Sequence, residues 1–411
     1  MLKENLSHHS TVRHLTLTLL LLGYLVTDAT AAPSSRDDIA LTEILSGDVA
    51  KDKERPRFKV DAAWPHLPET MLLGQVAGIA VDSLDGVWAV HRPQSLTATD
   101  TGLIADPPSA LCCQPAPPVV HFAKDGSWLG GFGGPDSAPV IGGVNQWPQS
   151  LHGISVDSQG SLWLAGNGPG DHVVLRYTQD GKFIRAFGQR EQTRGNNDLT
   201  RLGNPSDVNS INGKVYVSDG YTNRRLIAFE EHAGQAFGIW GAYGAPPMQR
   251  TREDAFDQSQ AIHQAEGGPD PEAHELGSIV HCSVPSGDGQ LYLCDRVNNR
   301  AQVFDILDDG SFRFVRNLVI APKTGGLGTV TDIALSPDKK YLYVADMANG
   351  RVWILLRDSQ EVVLGYFGRT GRQAGQFTWL HSIATDSEGN IYTAEVGTGR
   401  RIQKFVFTGI R

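Results

Sequence analysis

Three histidines occupy the same point of a recurring pattern. QSLHGISVDS places His152 where an apolar alternation begins, and IVHCSV and WLHSIATDS do the same with His281 and His381. A single histidine at such a point reads as a hydrogen-bonded structural residue. Three imidazoles delivered by separate strands suit a divalent transition metal, zinc first. Three protein ligands leave the fourth tetrahedral position open, which is the catalytic rather than the structural arrangement. An open zinc acidifies bound water or polarises a substrate oxygen, so the trio asks for an oxygen-bearing substrate.

The elements that must aim these side chains are short strands. Six segments share one plan: a loop, an apolar strand, a turn with Asp, Gly or Asn, a second strand and a polar loop. They read GQVAGIAVDSLDGVWAVHR, QSLHGISVDSQGSLWLAGN, NPSDVNSINGKVYVSDGYTNRRLIAF, SIVHCSVPSGDGQLYLCDRVNNRAQVF, GTVTDIALSPDKKYLYVADMANGRVWILL and TWLHSIATDSEGNIYTAEVGTGRRIQKF. Most continue into a third strand, and several reach a fourth ending in Phe-Gly. Four short strands repeated six times with no helical periodicity between them predict an all-β fold, a six-bladed β-propeller. The units resemble NHL repeats over residues 70–408, read as one domain preceded by an extension at 32–69. Aligning the inner strands gives one slot per blade, filled by Ala77, His152, Ser206, His281, Thr331 and His381. Alternate blades of six are about 120° apart, so the three histidines point at one axis.

Two stretches exceed ordinary loop length, residues 93–119 with PPSALCCQPAPP and residues 231–276 with a polar, acidic run. Loops of that size on a propeller face either shape a binding site or remain mobile.

Composition narrows the function classes. A net charge of −9 without a basic stripe argues against nucleic-acid binding. The run LTLTLLLLGYLV follows Lys3 and Arg13 and precedes DATAAP, the pattern of a secretory signal at 1–31 cut near Ala31. An uncleaved anchor is the alternative. The mature chain is expected to be secreted or periplasmic, free of the membrane and monomeric. Export permits disulfides. Cys282 and Cys294 flank a hairpin and could face each other, and Cys112 and Cys113 are adjacent. Free thiols, one local bridge, or a bridge in each place all remain open readings.

The histidine motifs, together with VHRP and SDGYTNRR, resemble the peptidyl-α-hydroxyglycine α-amidating lyase family. That resemblance implies a six-bladed propeller whose three-histidine zinc serves cleavage of a carbinolamide C–N bond, giving a peptide amide and glyoxylate. It makes His152, His281 and His381 the zinc ligands. Arg92, thirteen residues beyond Ile79, matches a site arginine. Tyr221 matches the catalytic tyrosine, and Arg296 a second site arginine. An arginine can hold a carboxylate through two parallel hydrogen bonds, and a tyrosine can take a hydroxyl proton as general base. His91, beside Arg92, reads as structural.

The resemblance also implies a structural calcium on the main-chain carbonyls of Ile79 and Ile154 and on an aspartate after the third histidine. Ser382 stands in that aspartate's place, which weakens a site for a hard cation. Thr222 replaces a disulfide cysteine, and Trp379 replaces a methionine two residues before the third histidine, reshaping the pocket. Two other readings stay open: a non-catalytic NHL propeller that binds a protein or glycan, and a lactonase-type propeller hydrolase. The latter usually presents carboxylates and Asn to calcium, whereas this slot is rich in imidazole.

Overall fold

Among the described residues, six antiparallel sheets of four strands each follow the predicted repeats, with two small two-stranded ladders beside them. The computed structural model describes residues 49–50, 52–248, 268–358 and 361–411. The segment at 1–31 expected to be a signal lies outside the described residues. The fold is all-β, a six-bladed propeller. The innermost strands are Gln75–Val81, Leu151–Val156, Asp207–Ile211, Val280–Pro285, Asp332–Leu335 and Leu380–Thr385, in blades one to six. Each pairs with a second strand that is almost wholly buried, such as Leu162–Gly166 and Tyr341–Asp346. Burial on both faces explains why those second strands read as apolar runs rather than alternations.

Turn chemistry fixes the hairpins between first and second strands. Asp82 and Asp157 each accept backbone amides of their own turn and the indole N–H of the Trp six residues on, at 2.9 Å in both blades. One carboxylate thus sets the register of a whole hairpin. Because these turns all lie at one end, the starts of the first strands and the exits of the second strands share the opposite face. The 93–118 stretch leaves and re-enters blade one on that same face, between Val87–Arg92 and Val119–Phe122.

Two boundaries differ from the sequence reading. Pro56–Asp61, placed in the extension, pairs with Arg401–Ile410 and is the outermost strand of blade six. Its Phe58 packs against Tyr343, Phe367 and Phe407. An isolated outer-edge strand carries no repeat of its own, so no period marks it. Ala236–Trp240, read as part of the long polar loop, is the fourth strand of blade three. It is short and half-exposed, with a weak apolar signal.

Both cysteine pairs are bridged, Cys112 to Cys113 and Cys282 to Cys294. The second bridge ties the first strand of blade four to its second strand. His281 lies directly before one half-cystine, and Arg296 lies two residues after the other.

Candidate metal centre

His152, His281 and His381 are all buried, with ring centroids 4.6 to 4.8 Å apart. Their ligand atoms lie within 4.8 Å of one another. Each ring is aimed from behind by the blade next to its own. His152 Nδ1 donates to Ser206 O at 2.6 Å, His281 Nδ1 to Thr331 O at 2.5 Å, and His381 Nδ1 to Ala77 O at 2.6 Å. Carbonyls only accept, so all three Nδ1 atoms carry the proton and all three Nε2 atoms present a lone pair. Ser206, Thr331 and Ala77 are the intervening members of the six-fold slot. One ring position therefore supplies the imidazoles on even blades and the carbonyls that orient them on odd blades.

The lone pairs converge. His281 Nε2 and His381 Nε2 are 3.2 Å apart with no hydrogen available to either. Two bare acceptors at that distance repel unless a cation lies between them, so the donor set fits a divalent metal. Burial, first of all, holds the imidazolium forms off. It lowers His381 to about 3, and His152 and His281 also fall well below the usual histidine range. The charges of Arg92 and Arg296 push the same way. Neutral imidazole is the form that ligates metal.

Around the trio stand the other residues singled out from sequence. Tyr221 Oη donates to His152 Nε2 at 2.7 Å and accepts a hydrogen bond from Arg296. Arg296 is 3% exposed, and its Nε finds no hydrogen-bond partner. Arg92 is held by three neutral acceptors: Leu151 O at 2.9 Å, Gln75 Oε1 at 3.1 Å and Asn167 Oδ1 at 3.2 Å. Neither guanidinium forms a carboxylate ion pair among the described residues. Arg225 and Arg300, by contrast, are buried against Asp219 and Asp295 at 2.8 Å. Arg296, buried, and Arg92, half-buried, stand next to converging imidazoles with neither in a carboxylate ion pair among the described residues, an arrangement able to receive an anion.

His91 belongs to the scaffold. Its Nδ1 accepts the Gly74 amide at 3.1 Å and its Nε2 donates to Pro117 O at 2.9 Å, pinning the return of the Pro-rich insertion. Burial lowers it to about 4.

Below the histidines a cavity of about 340 Å³ follows the inner strands, and Ile79, Ile154, Asp207 and Asp332 line it. The calcium site implied there does not match the donors present. The Ile79 amide donates to Ser382 Oγ at 3.2 Å, and that hydroxyl donates to Asp332 Oδ2 at 2.7 Å. A hydroxyl spends its hydrogen bonds where a carboxylate was needed. Among the described residues, the histidine trio alone groups three or more His, Cys, Asp or Glu able to share a metal.

A second ring position escaped the sequence reading. The residue that leaves each second strand is Arg92, Asn167, Gly220, Arg296, Met347 or Val396, in blade order, with Tyr221 one step further on. Asn167 orients Arg92 and therefore belongs to the site. The signal was the same period that gave the histidine slot, but those positions fall in polar loops, where alternation gives no phase.

No protein-family model matches the chain. NHL repeat-containing protein 3 of Mus musculus is 24% identical over 363 residues, 86% of this chain and 85% of that protein. Peptidylglycine alpha-amidating monooxygenase of Rattus norvegicus is 21% identical over 369 residues, 84% of this chain. The chain spans only 31% of that monooxygenase. These relatives support an NHL-repeat propeller. Among solved structures, a streptogramin B lyase covers 85% of this chain and 98% of its own, at 12% identity and TM-score 0.45.

Proposed function

We propose that this chain is an exported, zinc-dependent lyase that cleaves the C–N bond of a carbinolamide such as a peptidyl-α-hydroxyglycine, releasing an amide and glyoxylate. One observation carries the reading: two arginines, Arg296 buried and Arg92 half-buried, with no carboxylate ion pair among the described residues, flank three convergent Nε2 lone pairs, with a tyrosine hydroxyl between. A pure binding propeller has no use for that combination, and a carbinolamide carries its three complements, a carboxylate, a hydroxyl and a departing amide nitrogen. The distant likeness to an amidating monooxygenase points the same way.

His152, His281 and His381 would hold the zinc, which makes a bound hydroxyl more acidic. Arg92 and Arg296 bind and orient the carboxylate of the substrate. With the Nε2 lone pair of His152 committed to a metal, Tyr221 Oη would lose that acceptor and would turn to the substrate hydroxyl as its general base. Tyr221 Oη takes the hydroxyl proton as it gives its own to the departing nitrogen, the O–H electron pair becomes the C=O of glyoxylate, and the C–N pair leaves with nitrogen. Nitrogen takes a proton, so the amide is neutral and no redox cofactor enters. Burial of the ring keeps bulk water from the collapsing carbinolamide.

The test is elemental analysis beside an assay. Wild-type protein should hold about one zinc per chain and release glyoxylate from an α-hydroxyglycine peptide, and His281→Ala should do neither. Tyr221→Phe should keep its zinc and lose about a hundredfold or more in kcat. Full turnover by metal-free protein would remove the mechanism.

A further inference from the structure

The ring of residues leaving the second strands is divided by polarity. Blades one, two and four contribute Arg92, Asn167 and Arg296, and in blade three Tyr221 stands one step beyond Gly220. Blades five and six contribute Met347 and Val396, buried together against Ala77 with Leu327 packed on them. Behind that apolar half a cavity of about 450 Å³ opens, lined by Leu327, Met347, Phe377 and Trp379. Its Met347 packs on Ala77, whose carbonyl takes the Nδ1 hydrogen of His381, and Trp379 lies two residues before His381.

Trp379 stands on the rim in an unusual state. Its φ is 60°, a left-handed conformation that a bulky side chain adopts only at a cost of about 1 kcal/mol or more. The Val396 amide holds its carbonyl at 3.1 Å, and the indole lies flush on Gly397, where an added Cβ would meet the ring at 2.8 Å. Despite this fixing, the side chain is 40% exposed. The chain thus spends backbone strain to hold an aromatic face at the mouth of an apolar cavity.

We infer that this cavity is a binding subsite for an apolar group, aromatic or branched aliphatic, on the acyl side of the substrate amide. The inference rests on the proposed reading of the site. A substrate with its carboxylate on Arg92 and Arg296 and its hydroxyl at the histidines has its remaining arm directed away from the charged half. That arm meets blades five and six, where Leu327, Met347, Phe377 and Trp379 offer no charge to a polar side chain. The substrate class is therefore amphipathic: an α-hydroxyglycine end joined through its amide to an apolar residue or acyl group.

Two carboxylates that cannot be cleaved, N-acetylglycine and N-(phenylacetyl)glycine, share the head and differ in the tail. Calorimetric titration of each into zinc-loaded protein should show the phenylacetyl compound binding about tenfold tighter or more. Leu327→Gln should bring the two affinities to within about twofold. Trp379→Gly should narrow the gap as well, and it relieves the positive φ, so a folding defect does not confuse the result. Equal affinities for wild type, or an undiminished gap in both variants, would overturn the subsite. Glyoxylate release from the N-acetyl and N-(phenylacetyl) derivatives of α-hydroxyglycine reports separately on the reaction. Turnover of both with equal affinities sinks the subsite alone. Turnover of neither, with the tenfold preference intact, sinks the lyase and leaves the cavity as a site for apolar-tailed carboxylates.

Discussion

His381 and Ala77 stand 304 residues apart in the chain, yet the imidazole Nδ1 of the first donates to the carbonyl of the second at 2.6 Å. The bond crosses the seam between the last blade and the first. Metal geometry and closure of the ring are therefore one condition: opening the seam leaves His381 free to rotate, and the three Nε2 atoms no longer converge. The carbonyl of Ser206 plays the same part for His152, and that of Thr331 for His281.

Arg92→Lys should cripple carboxylate binding although charge is kept. The guanidinium spreads over Leu151 O, Gln75 Oε1 and Asn167 Oδ1, and an ammonium cannot reach all three while facing a substrate. The expected loss is about 10- to 100-fold in kcat/KM, mostly in KM, with zinc content unchanged. Steady-state kinetics on an α-hydroxyglycine peptide decide it, and a variant with wild-type KM would take Arg92 out of substrate binding.

Gly220→Ala should damage the site without touching a functional group. A Cβ there would overlap the Val280 carbonyl, one residue before His281, so the inner strand of blade four must shift. Overpacking of this kind costs about 1–3 kcal/mol. Thermal unfolding should show the loss and zinc titration a weakened affinity, and unchanged values in both would mean that the strand yields at no cost.

Replacing Cys282 and Cys294 by serine should lower stability by about 2–3 kcal/mol, given a loop of 12 residues' separation. Because the bridge joins the segment carrying His281 to the one carrying Arg296, zinc affinity should fall with stability. Denaturant titration of the double variant, with and without zinc, measures both effects. Unaltered zinc affinity would confine the bridge to the fold.

Asp332 gives a pH dependence with a definite sign. Burial, then the charge of Asp207, raises its carboxyl to about 7, and burial raises Asp207 to about 6. A native carboxyl above its unfolded value keeps a proton that the unfolded chain has released, so stability falls as pH climbs from about 4 to about 7. Urea midpoints at about pH 5 and about pH 8 should differ less in Asp332→Asn than in wild type. An equal or larger difference in the variant would assign the dependence to other groups.

The six-fold period made the propeller legible, since each hairpin repeats an apolar inner strand, an aspartate turn and a buried second strand. It also exposed the slot shared by His152, His281 and His381, because a histidine at an apolar boundary is conspicuous. Ala77, Ser206 and Thr331 fell in that slot as small residues, but their part is played by main-chain carbonyls, which no side-chain type announces. Asn167, Met347 and Val396 went unread because they stand where strands end, and Leu327 because it lies in a connection between blades. Pro56–Asp61 and Ala236–Trp240 were misplaced for a related reason: an outermost strand covers one face only, and its composition resembles a loop. Ser382 was visible as a departure from a calcium site, whereas its hydrogen bonds to the Ile79 amide and Asp332 depend on the curvature that brings blades one, five and six together.

The alternation of imidazole and carbonyl around the ring imposes a parity. Each histidine needs a neighbour whose slot carries no ligand, so the repeating unit of the metal centre is a pair of blades, and the pattern closes only on an even number. A seventh blade would break the alternation, leaving one slot with neither a histidine of its own nor a histidine to orient. Eight would bring four imidazoles to the axis and fill the coordination that three leave open. Six is the count at which a wheel of identical hairpins carries a threefold site, so blade number itself, settled by how hairpins pack at the rim, determines how many ligands meet at the hub.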